Sequence, residues 1–181
     1  MSGNCTIDLG HANFVSVSGV PTQATPAAVA AGYNGGAGYP TVGEGQYFKA
    51  DGTLSQVAVV DTRDTDAGWN VRGMMKTDFF ASSTLHFSAH QLGWQPGLAD
   101  KTPDFATPDL PGGYHNAATQ GADVFPATHA ADTALGNSQL LGSATPLHGL
   151  GIAHFNALLH MLIPVYAQHG VYSAVMQITA I

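Results

Sequence analysis

Between His154 and Pro164 the chain reads HFNALLHMLIP, with Phe155, Ala157, Leu159, Met161 and Ile163 at every second position. That period of two predicts a β-strand with one side turned to a core. The alternate positions are His154, Asn156, Leu158, His160 and Leu162, not the Thr, Ser or Asp that a water-facing side normally carries. Two other runs alternate in the same way. VRGMMKT places Val71, Gly73 and Met75 inward and Arg72, Met74 and Lys76 outward. GVYSAVMQI places Tyr172, Ala174, Met176 and Ile178 inward and Val171, Ser173, Val175 and Gln177 outward.

More strands are predicted on either side. CTIDLG and NFVSVSG alternate near the start, and STLHFSAHQLGW is of strand length. GQYFKADGTLSQVAVVDTR reads as a hairpin about Asp51-Gly52, a favoured two-residue turn. From Gly97 to about Ser143 Pro, Gly, Asp and Thr recur with neither period, which predicts a long loop insertion. Short strands, frequent turn residues and almost no helical period point to one all-β domain over residues 1–181. The expected fold is an antiparallel β-sandwich with its long loop insertion at about 97–143.

Composition narrows the partners. Charged residues are 9% of the chain, against 22 Gly and 10 Pro, so few helical surfaces are expected. The net charge of −7, with five Lys plus Arg, argues against a nucleic-acid surface, and no basic cluster is present to hold an anionic membrane. The longest apolar run, around Leu158 to Tyr166, is too short to span a bilayer. Cys5, the single cysteine, cannot form an internal disulfide. MSGN has neither a cationic start nor an apolar h-region, so no signal peptide is expected there.

One stretch carries a resemblance. LSQVAVVDTRDTDAGWNVRGMMKTDFF has a strand ending in Val-x-Asp-x-Arg, then Gly-Trp-x-apolar, then an alternating strand closed by Asp-Phe. With LGWQP and the ending GLGIAHFNALLHMLIPVYAQHGVYSAVMQITAI, it resembles the WxL-type β-sandwich surface domains of Gram-positive, including actinobacterial, secreted proteins. The resemblance covers roughly residues 50–98 and 140–181. It implies a secreted or wall-associated, non-catalytic domain that binds peptidoglycan, polysaccharide or partner proteins. The family's two Trp-x-Leu motifs appear here as Trp69-Asn70-Val71 and Met176-Gln177-Ile178.

The odd outward positions are the leading site candidates. Met74, His154, Leu158, His160, Leu162 and Val175 are expected to share one sheet surface, and a surface so apolar is usually an interface, with a protein partner or with a second copy. The alternative is that residues 97–143 fold back and cover it. An engineered assembly scaffold would show the same pattern and the same interface. A second reading assigns a metal to His86, His90, His154 and His160. Neither pair can chelate alone, because His86 and His90 on one strand lie about 13 Å apart and His154 and His160 about 20 Å, so the site must be assembled across strands or from loop residues such as His115, His129 and His148. A third reading has Trp69 or Trp94 exposed as a sugar-stacking platform, although core rings with a bonded indole are the ordinary expectation. Asp61 and Arg63, two apart on a strand, are expected to form a local ion pair or a hydrogen bond to a loop. No nucleophile elbow, P-loop or dinucleotide fingerprint is present, so no enzyme activity and no resident cofactor are expected.

Overall fold

A computed structural model describes residues 5–8, 12–14, 33–34, 41–42, 47–63, 65, 67–102, 116–127, 134–164, 166–168 and 170–181. The strands are β1 (Cys5–Asp8), β2 (Ala12–Phe14), β3 (Tyr33–Asn34), β4 (Thr41–Val42), β5 (Tyr47–Asp61), β6 (Trp69–Met75) and β7 (Phe79–Phe80). They continue as β8 (His86–Phe87), β9 (Leu92–Thr102), β10 (Thr119–Gln120), β11 (Gln139–Ala144), β12 (Gly151–Pro164) and β13 (Met176–Ala180). The fold is all-β and antiparallel. Among the described residues the only helical element is the 3-10 turn Ala89–Gln91, and no helix is long and apolar enough to cross a membrane.

The larger sheet runs β1-β5-β12-β9, with β2 also on β5, and the smaller runs β10-β11-β6-β13. β12 is the spine of the larger sheet: it pairs with β5 on one side and β9 on the other, and of the expected inward row Phe155, Ala157, Leu159 and Met161 are buried and Ile163 is half-buried. Phe155 meets Trp69 of the smaller sheet edge to face, with ring centroids 5.9 Å apart. Two glycines allow such approaches. A Cβ at Gly142 would sit 2.2 Å from the Phe155 ring, and one at Gly73 would sit 2.5 Å from the tip of Trp94.

Three expectations are corrected. Asp51-Gly52 is no hairpin: β5 runs through it, with Asp51 opposite His160 and Gly52 opposite Leu159. A ladder along the whole of β12 outweighs a local turn preference. The break in alternation between Leu54 and Val57, both buried, is absorbed instead by a bulge at Ser55 and Gln56, where Gln56 has φ +24°. His86 and His90 do not share a strand, since the 3-10 turn separates β8 from β9. Gly97 to Thr102 are not loop, because β9 continues to Thr102.

Of the remaining long segment, residues 116–127 and 134–143 are described, and Gln139 to Ser143 are not loop either, because they lie in β11. β10 extends the smaller sheet, while Val124 exchanges backbone hydrogen bonds of 2.8 Å with Trp94 on the free side of β9. Residues 116–127 therefore join both sheets on the β9 side. His115 and His129 lie outside the described residues.

Candidate interaction surface

The six outward residues expected on one surface lie in two sheets. His154, Leu158, His160 and Leu162 belong to β12 in the larger sheet, Met74 to β6 in the smaller, and Val175 immediately precedes β13. Of these four β12 residues only Leu158 is exposed, at 50%, whereas His160 and Leu162 are buried at 7% and 1%. That corrects the single apolar face. Alternation gives the side of a strand on which a residue projects, and it is silent about what covers that side.

Both β12 histidines have carboxylate partners. His160 Nδ1 lies 2.8 Å from Asp51 Oδ1 on β5, and His154 Nδ1 contacts Asp100 Oδ1 on β9. The two pairs thus reach to opposite neighbours of the strand. The metal set His86, His90, His154 and His160 is not brought together: among the described residues no three His, Cys, Asp or Glu side chains converge. His90 instead lies against Gly136.

Neither tryptophan can stack an external sugar. Trp69 and Trp94 are buried, which corrects the exposed-platform reading; the Trp69 indole N–H donates to the Gly149 carbonyl at 2.9 Å, and Trp94 fills the space over Gly73. Asp61 and Arg63 form the expected pair. The fully enclosed carboxylate accepts from Arg63 Nε at 2.8 Å and Nη2 at 2.6 Å.

Four exposed apolar side chains lie along or beside the margin of the smaller sheet that carries Val175, while Phe125, Leu147, Ile152, Leu158 and Tyr166 are exposed elsewhere. Phe80 is 40% exposed, Val171 90%, Val175 56% and Ile181 74%. Phe80 and Ser173 exchange backbone hydrogen bonds of 2.9 Å, which sets Val171 and Val175 on either side of the residue opposite the ring. Lys76 N–H donates to the Val175 carbonyl at 2.7 Å, and Val175 N–H donates to Thr77 Oγ1 at 3.0 Å. From Val171 to Ile181 every second residue is exposed and the others are half-buried, as expected from the inward set Tyr172, Ala174, Met176 and Ile178.

An aromatic stack supports this margin from inside. Phe79 lies on Phe87 with centroids 4.8 Å apart, Phe87 meets Tyr172 at 5.1 Å, and Phe80 leans on His86 at 5.3 Å. Beneath the margin, Met75, Phe79, Leu92, Leu159, Tyr172 and Met176 line an apolar cleft of about 270 Å³. Phe80 was not among the expected surface residues. Two adjacent aromatics, Phe79-Phe80, at the end of a strand must point to opposite sides, so one had to face away from the core.

In comparisons with family models, curated proteins and solved structures, no match to this chain was found.

Proposed function

We propose that this chain is a non-catalytic β-sandwich module, similar to WxL-type surface domains and placed at the cell surface or secreted. It associates with copies of itself through the apolar margin of the smaller sheet. One observation carries the reading: Phe80, Val171 and Val175 are exposed together on a scaffold held by backbone pairing, rather than scattered singly. The resemblance contributes the fold and setting. The meeting of Phe155 and Trp94 with the smaller sheet supports a two-layer arrangement.

Desolvating the exposed parts of a few such side chains contributes on the order of several kcal/mol before the cost of lost translational freedom. Association is therefore expected to be weak, in the range of ~10 μM or above. The test is the double substitution Val171→Thr with Val175→Thr, which keeps side-chain shape and adds hydroxyls at exposed positions. Sedimentation or light scattering is expected to show a dimer weakened roughly tenfold, about 1.4 kcal/mol, with an unchanged melting temperature of the monomer. Equal association by the variant and the parent would remove the margin from the interface.

A further inference from the structure

Resting on the self-association reading, the structure points to one strand and one register for the contact. Among the described residues β13 ends the smaller sheet and pairs only with β6. Ile181 and Asn70 exchange hydrogen bonds of 3.0 and 2.7 Å, so by alternation Thr179 and Gln177 also turn their amides toward β6. The amides and carbonyls of Met176, Ile178 and Ala180 consequently face away from the sheet, and among the described residues nothing pairs with them. β1 of the other sheet runs close by but hydrogen-bonds to β5.

This edge lacks the guards against pairing that sequence supplies. From Val171 to Ile181 the chain, VYSAVMQITAI, contains no charged side chain, no proline and no glycine. It is also complementary to itself. We propose that two copies join β13 to β13 antiparallel about a two-fold axis at Ile178, merging the two smaller sheets into one.

The register follows from that axis. Ile178 faces its counterpart, Met176 faces Ala180, Gln177 faces Thr179, and Val175 faces Ile181. Every outward amide and carbonyl of Met176, Ile178 and Ala180 then finds a partner. The two large apolar side chains that one copy leaves in water at either end of the strand, Val175 and Ile181, come directly opposite each other on the outer side. Gln177 and Thr179, also exposed, form an uncharged polar pair between them. A two-fold contact of this kind is closed, so it yields a dimer and not a fibre.

Cysteine pairing reads the register. Cys5, the single cysteine, is first replaced by Ser, and chains carrying Gln177→Cys or Thr179→Cys are oxidised separately and as a mixture. In the proposed dimer positions 177 and 179 form a non-hydrogen-bonded pair with Cα atoms about 4.5 Å apart, within disulfide reach. The mixture is expected to form the 177–179 disulfide on the order of tenfold faster than either chain alone links to itself, because facing thiols share a high effective concentration. A concentration-dependent dimer without that preference overturns the register and leaves self-association standing. A monomer at all concentrations with statistical cross-linking overturns both.

Discussion

Asp61 is fully enclosed at the end of β5, and its carboxylate takes the backbone N–H, Nε and Nη2 of a single residue, Arg63, whose Nη2 also reaches the Gly68 carbonyl. This pair clamps the turn between β5 and β6 and so sets where β6 begins. Replacing Asp61 by Ala is expected to cost about 3 kcal/mol, the lower end for breaking a buried pair because the Arg63 side chain keeps some access to water. A lowered urea midpoint with an unchanged slope checks it, and a change below ~0.5 kcal/mol would mean that the clamp is dispensable. At this scale the closeness of Asp61 and Arg63 in sequence was enough to bring them together, although Arg63 lies beyond the end of β5 and meets Asp61 through the turn and not along the strand. The sequence was not legible for His160 and Leu162, whose burial depends on what lies over β12.

β12 shows how elements overrule local signals. Its alternation from His154 to Pro164 could be read directly, and so could those of β6 and of the Val171 to Ile178 run. Asp51-Gly52 carries a genuine turn preference, yet the ladder with β12 keeps the backbone extended through it. Likewise the twelve residues STLHFSAHQLGW contain a 3-10 turn, in which Ser88 accepts from the His90 N–H, and this takes the two histidines off a common strand. Pairing partners, not propensity, settle such cases. The approach of the sheets rests on similar non-local detail, since nothing near Gly73 in sequence announces that Trp94 will occupy its missing side chain. Gly73→Ala must displace that ring and is expected to destabilise the protein by about 1–3 kcal/mol. Thermal melting, at roughly 2–4 °C per kcal/mol for a chain of this length, reads the loss, and an unchanged midpoint would show that the sheets can separate freely there.

Across the whole molecule the two sides of the fold are finished differently. On the β9 side, residues 116–127 tie the sheets together through β10 and Val124. On the opposite side the smaller sheet ends in β13, uncharged and open among the described residues, next to Val171, Val175 and Phe80. The expectation of an apolar contact surface came from Met74, Leu158, Leu162 and Val175 taken as one group. Met74 and Val175 stay together in space, while Leu158 and Leu162 belong to the other sheet, because a period of two cannot say which strands are neighbours. The measurement that tests self-association most directly is the solution mass by light scattering over a dilution series, with and without a chelator. A dimer that dissociates on dilution at ~10 μM or above and is unaffected by the chelator is expected. A monomer at every concentration, or an assembly that the chelator dissolves, would contradict that expectation.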